Sequence, residues 1–184
     1  MHASPYQSVL GDAWAKVAAP IRDMHPGTTT VADGRSTVER GGHPLARLAG
    51  WVFGFPPQGR DTPVRVRFET DGRVETWTRH FGGRAMKSRQ WAGAGAEAGL
   101  ICEQLGPLVF ASALLPDHDR LTLALRRWRV FGLRLPLRLA PQVEAAETAQ
   151  DGRFGFDIAI RRPWIGLIVR YRGWLRAPDQ EVPP

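Results

Sequence analysis

The sequence predicts an α+β fold dominated by antiparallel β-structure: a strongly curved sheet or barrel of about eight to ten strands, with an N-terminal amphipathic helix and a second, short apolar helix. Three observations carry this. Runs in which apolar and polar residues alternate recur through most of the chain. Turn dipeptides such as Asp71-Gly72, Gly106-Pro107 and Asp151-Gly152 separate these runs at short intervals. Helical spacing of apolar residues is confined to two early segments. A sheet with so many strands must close or be covered, because an open edge would pair with other chains.

The elements follow in order. Leu10, Trp14, Val17 and Ile21 recur at helical spacing, and Pro26-Gly27 stops that helix just after His25. Thr28 to Arg40 is rich in Thr and Val, is punctuated by Asp33-Gly34, and reads as a strand or short hairpin ended by Gly41-Gly42. From His43 to Phe55, Pro44 suits a first helical residue, and Leu45, Leu48, Trp51, Val52 and Phe55 follow before Pro56-Pro57. This helix is apolar over most of its circumference. Burial against a sheet is the expectation, with a lid or a surface touching lipid or a partner as the alternative.

Val64 to Phe81 is a hairpin about Asp71-Gly72, and Arg84 to Trp91 is the next strand, followed by an Ala/Gly loop to Gly99. Leu100 to Leu105 pairs with Leu108 to Leu114 across Gly106-Pro107, and a long alternating strand runs from Arg120 to Phe131. The segment LRLPLRLAP crosses over. Gln142 to Thr148, Phe154 to Arg161 and Leu167 to Leu175 complete the set. Residues 1–177 are expected to form one domain and 178–184 a loose tail.

Composition narrows the classes. In 184 residues, 43% hydrophobic and 23% charged is ordinary globular usage. The net charge of +7 is almost wholly arginine, since Lys16 and Lys87 are the only lysines. These arginines are dispersed through alternating strands instead of forming one basic run, which argues against nucleic acid as a partner. Cys102 stands alone, excluding an intramolecular disulfide and any multi-cysteine zinc site, and a reducing cytoplasmic location is the default. The five histidines show no metal-ligand spacing, so no metal or cofactor is expected. Gly93, Gly95 and Gly99 do not open a helix in a βαβ unit, which removes the dinucleotide reading. No run reaches the roughly 18 apolar residues of a membrane-spanning helix, and the N-terminus lacks the parts of a signal peptide.

Alternation also identifies charges on apolar faces. In the hairpin, Val64, Val66 and Phe68 share a face with Trp77 and Phe81, and Glu75 and Arg79 come with them. Glu103 lies with Ile101 and Leu105; the leucine face of Leu121 to Phe131 continues into Arg127 and Arg129; Tyr171 lies with Leu167, Val169 and Leu175. Unpaired burial of such groups is costly, so they must pair or line a wetted cavity. Glu75, Trp77, Arg79, Phe81, Glu103, Arg127, Arg129 and Tyr171 are therefore the candidate ligand-binding residues, converging on a polar spot in an apolar cup. The competing expectation is a structural charge network, or a bulge that turns one strand's charges outward.

The strings ARLAGWVFGFPP, ETWTRHFGG, EQLGPLVF, LRLPLRLAP, GRFGFDIAI and GLIVRYRGWL together resemble the bacterial domain of unknown function 4166 family, over about Leu10 to Leu175. The resemblance marks Trp77, Arg79, Phe81, Gly82, Glu103, Gly106, Pro107 and the Arg170 to Trp174 stretch, while His80 stands where the family more often has an acidic residue. Members of that family occur alone or joined to reductase-like domains of the saccharopine dehydrogenase or epimerase type, and no activity comes with the resemblance.

Binding is thus expected before catalysis: an apolar or amphipathic, lipid-like small molecule, its polar or anionic head held by Arg79 with Arg127 or Arg129, its tail covered by Trp77, Phe81 and the helix from Leu45 to Phe55. One alternative is a cyclase or isomerase in which Glu75 or Glu103 moves a proton and Tyr171 polarises a carbonyl. The other is a module that docks on a reductase-like partner through an exposed apolar patch around Trp51 and Phe53.

Overall fold

The computed structural model describes residues 3–176, so the expected tail lies outside the described residues. Eleven strands are present: β1 (Thr30–Arg40), β2 (Gly59–Thr70), β3 (Val74–Phe81), β4 (Arg84–Ala92), β5 (Ile101–Leu105), β6 (Leu108–Asp117), β7 (Arg120–Val130), β8 (Leu133–Arg134), β9 (Gln142–Gln150), β10 (Arg153–Arg162) and β11 (Gly166–Leu175). Ten of them close into an antiparallel barrel in the order β6-β5-β4-β3-β2-β1-β11-β10-β9-β7, with β6 paired to β7, while β8 only extends the end of β7. Closure gives every strand of the ring a neighbour on both sides, which is what the run of short alternating strands requires.

Two seams of the ring are incomplete, and in one of them β4 pairs with β5 only from Arg89↔Gln104 to Ala92↔Ile101. In the other, β7 pairs with β9 only from Arg120↔Thr148 to Leu123↔Ala145, whereas its neighbour β6 follows it along its whole length. Below Leu123 the β7 edge is instead taken up by β8, through Arg129↔Arg134 and Val130↔Leu133. The side chain of Trp128 donates from Nε1 to the Pro136 carbonyl at 3.1 Å and fastens the 131–141 crossover beside this gap.

The pairing also defines two ends. At the upper end lie the turns 71–73, 93–100, 118–119 and 151–152; at the lower end lie the turns 82–83, 106–107 and 163–165, the crossover 131–141 and the β1–β2 connection. The N-terminal segment covers the upper end. It is not one helix but three pieces, α1 (Pro5–Leu10), a 3₁₀ stretch (Gly11–Lys16) and α2 (Ala19–Arg22). Ser4 caps α1 with a full capping box to Gln7. Pro20, in the first turn of α2, denies a continuous helix its bond and crowds the carbonyl four residues back. α1 packs on β4 and β5, the 3₁₀ stretch on β6 and α2 on β9 and β10, so the segment spans the mouth and sinks Tyr6, Ile21, Met24 and His25 into it.

Asp33-Gly34 makes no turn; β1 runs straight through it. Gly34 is needed there because a Cβ would stand 1.8 Å from the Trp174 carbonyl oxygen of β11. The second helix, α3 (Pro44–Val52), starts as expected, with His43 as its cap. Its orientation is the reverse of expectation: Ala46 and Gly50 are buried while Leu45, Leu48, Trp51 and Val52 are exposed. Only small residues fit beneath it, because the Arg40 side chain passes under Gly50 and donates to the Pro56 carbonyl at 3.3 Å.

Inward positions of the strands build the core from Val64, Val66, Phe68, Trp77, Phe81, Met86, Ile101, Leu121, Phe154, Val169, Tyr171 and Leu175. Each fully buried side chain such as Phe68 or Leu121 contributes about 1.5–3 kcal/mol.

Candidate functional site

The β2–β3 hairpin turns on Gly72-Arg73, closed by hydrogen bonds in both directions between Asp71 and Val74, one step later than Asp71-Gly72. The pairs are Thr70↔Glu75, Phe68↔Trp77, Val66↔Arg79 and Val64↔Phe81. The shift preserves parity, so the predicted faces hold: Glu75, Trp77, Arg79 and Phe81 all point inward and are buried. Gln90 and Ser88 of β4 and Glu103 of β5 stand beside them on the same face.

These groups are matched to one another. Arg79 donates from Nη1 to Ser88 Oγ at 2.7 Å and from Nη2 to Glu103 Oε1 at 3.3 Å, and its guanidinium lies 4.5 Å from the Trp77 ring centre. From across the barrel, Glu147 of β9 accepts from the Tyr6 hydroxyl at 3.2 Å and meets His25 Nε2 at 3.1 Å. Tyr6 and His25 stack with ring centres 3.7 Å apart, and His25 reaches to 5.3 Å from Trp77.

Burial and pairing set the protonation states. Burial pushes the Glu75 carboxyl above its usual range, against the pull of His25. Burial acts to lower the His25 imidazole, but the charge and hydrogen bond of Glu147 outweigh it and leave it raised. Burial and Glu147 hold the Tyr6 phenol far above its ordinary value. The Tyr171 phenol is pushed up to about 12 by burial, with Arg79 pulling it down and Glu103 pushing it up. The interior therefore contains two mutually neutralising pairs, Arg79 with Glu103 and His25 with Glu147, and a carboxyl biased towards its neutral form.

Against this cluster lies a cavity of about 110 Å³. Its wall is mainly apolar, with Val64, Val66, Phe81, Leu123, Val143 and Phe156 among the lining residues, and Phe55 stands at its lower side. Its polar lining comes from Tyr6, Arg79, Gln90, Glu103, Glu147 and Tyr171, with the indole of Trp77 beside them. Leu123 and Val143 flank the incomplete β7–β9 seam. Among the lining residues Gln90 Oε1 is a buried polar atom without a hydrogen-bond partner, while the Trp77 indole N–H is turned to the Glu75 carboxyl.

Glu75 belongs to the buried cluster but is not among the residues that line the cavity, and two further candidates are not brought here at all. A bulge between Leu125 and Arg127 resets the alternation of β7, pairing Trp128 with the inward Phe110 and turning Arg127 and Arg129 to the outer face. Arg127 is exposed, and Arg129 donates to Glu97 Oε2 at 3.0 Å beneath the 93–100 loop. The Cys102 thiol donates to the same carboxylate oxygen at 3.4 Å and is pushed up to about 12 by burial and by Glu97, which disfavours the reactive thiolate. Nor does α3 cover the cavity: of the residues proposed there only Phe55 lines it.

Sequence reasoning missed Tyr6, His25 and Glu147. In the sequence His25 marks the end of a helix and is one of five histidines without ligand spacing, and Tyr6 precedes the apolar series that defines that helix. Glu147 did carry a signal, since it alternates with Ala145 and Val143 on one face of β9, a face otherwise of small and apolar residues. Among the described residues no group of three or more His, Cys, Asp or Glu side chains is placed to hold a metal ion. No helix among them is long and apolar enough to cross a membrane.

A closed antiparallel β-barrel, capped at one end by helices and holding a small cavity with a charge-compensated polar wall, defines the class of this protein. The chain belongs to the family described as Domain of unknown function (DUF4166), which matches residues 19–175 and therefore the whole barrel. No curated protein matches it in sequence.

Proposed function

We propose that the barrel binds a small, largely apolar molecule with one neutral polar end, such as a hydroxyl. The supporting observation is a mainly apolar cavity wall whose charges are already paired, with Gln90, one of its residues, keeping in Oε1 an acceptor without a partner for a hydroxyl proton. Buried polar atoms are otherwise almost always satisfied. An anionic head fits poorly, because Arg79 already serves Glu103 and Ser88 and the other two arginines face outward. At about 110 Å³ the space is well below the ~300–1,000 Å³ of drug-sized pockets, so it takes a compact molecule or one end of a longer chain. The incomplete β7–β9 seam is the proposed way in.

The test is native mass spectrometry of the protein from its natural source, before and after organic extraction. A defined mass lost on extraction is expected, and both Gln90→Leu, which removes the acceptor, and Leu123→Trp, which fills the cavity, should abolish its retention. A bare protein that takes up nothing from added lipid extract would overturn the proposal.

A further inference from the structure

The exposed large apolar side chains are not scattered. All but Val31 and Leu115 lie at the lower end, on α3, on the 131–139 crossover and on the β10–β11 turn. Trp164 is 99%, Phe131 82% and Trp51 73% exposed, more than a solvated surface ordinarily shows. These three projections belong to β1, β11, β10, β9 and β7, which are consecutive around the ring, so they form one continuous arc of rim.

Charge follows the same axis. The connections at the lower end read GGHPLARLAGWVFGFPPQ, GG, GP, FGLRLPLRLAP and PWI, with no acidic residue in any of them. The upper turns carry Asp71, Asp119 and Asp151 beside Arg73, and Glu97 of the 93–100 loop is buried against Arg129. Among the described residues, Arg47, Arg84, Arg134 and Arg138 at the lower end are exposed and have no acidic partner within 4.0 Å. Arg40, Arg47 and Arg84 meet around a cleft of about 440 Å³ beside Trp51. Arg40 is held beneath α3, where burial and the neighbouring Arg84 charge both disfavour its ionised form. Three clustered cations without a carboxylate call for an anion from outside.

We propose that this lower end rests on an anionic phospholipid membrane, with Leu48, Trp51, Leu133 and Leu137 in the interfacial layer and the Arg40, Arg47 and Arg84 cleft on a lipid phosphate. Exposed Trp and Leu projections flanked by unpaired arginines are the pattern of a monotopic interfacial surface. The seam at the cavity lies on the same side, so docking would bring it to the membrane. The proposal stands on the outer surface and fails or holds independently of the ligand reading.

The full chain is sedimented with vesicles of equal phosphatidylglycerol and phosphatidylcholine, and with phosphatidylcholine alone. Pelleting with the first and little with the second is expected. Leu48→Glu and Leu137→Glu should each weaken it at least ten-fold, Arg47→Ala and Arg84→Ala each about five-fold, and Leu115→Glu at the opposite end not at all. Leu123→Trp, which blocks the cavity, should also leave it unchanged. These substitutions lie on exposed side chains, apart from Leu123→Trp, so melting temperature checks that each variant is folded. No pelleting, equal pelleting with both vesicles, displacement by millimolar inorganic phosphate, or a soluble dimer that Leu48→Glu dissociates would each overturn the proposal, the last in favour of a second copy of this chain.

Discussion

Arg79 and Glu103 join β3 to β5 over the strand between them, with Nη2 donating to Oε1 at 3.3 Å. The bond ties second-neighbour strands by their inward side chains and neutralises the one arginine on the cavity wall. Glu103→Gln should leave that guanidinium uncompensated. Because Glu103 keeps about a third of its side chain exposed, the loss of stability is expected near 1–3 kcal/mol, below that of a fully buried pair. The same variant should bind a short-chain carboxylate that the wild type does not, as read by calorimetry.

Glu75 gives the protein an alkaline-side weakness. Its folded carboxyl titrates above the ordinary 4.5, so the native state holds its proton more tightly than the unfolded chain. Stability from this group is complete below about 4.5 and falls as pH rises through the raised value. Glu75→Gln should flatten that limb of a plot of melting temperature against pH, because the amide has no proton to lose in this range.

His25 contributes with the same sign in a higher window. Its raised value means that the ion pair with Glu147 is fully stabilising below 6.5 and fades as pH climbs through the folded pKa. His25→Gln should remove this second decline and be destabilising at pH 6 but nearly neutral at pH 9. A decline that persists in the variant would assign it to another group.

Gly34→Ala should destabilise by about 3 kcal/mol or more, since the new methyl group meets backbone, not a side chain that can swing away. Chemical denaturation would show the loss, with hydrogen exchange accelerated along β1 and β11.

Thiol reagent at pH 8 should leave native Cys102 unmodified and react only on unfolding, because the thiol is buried and its pKa is about 12.

The barrel was legible because strand alternation has a period of two and survives small errors. Placing the hairpin turn at Asp71-Gly72 misaligned the pairs by two residues, yet Glu75, Trp77, Arg79 and Phe81 kept their faces, and Glu103 and Tyr171 were found the same way. A bulge is the error that parity does not forgive. One extra residue at Arg126 reversed Arg127 and Arg129, and nothing local in LALRRWRV marks it. The orientation of α3 was hidden for a different reason: which side of a nearly all-apolar helix is covered depends on the neighbour, here the Arg40 side chain under Gly50. His25 and Tyr6 join the site through tertiary packing of a broken helical segment, a contact with no periodic signature.

The short lacing between β7 and β9 makes the ring mechanically uneven. Only the β4–β5 seam has a ladder as short, four pairs from Arg89 to Ala92, whereas the β7–β9 seam is held by the register from Arg120 to Leu123 and by a crossover fastened through the Trp128 indole and the Arg162 side chain. Local opening is expected at these two short seams, and the amides at the start of β9 should exchange with solvent ahead of those in the long ladders of β1, β2, β10 and β11. The cylinder behaves less like a sealed can than like a bracelet with two clasps, one of which sits beside the cavity against its polar core.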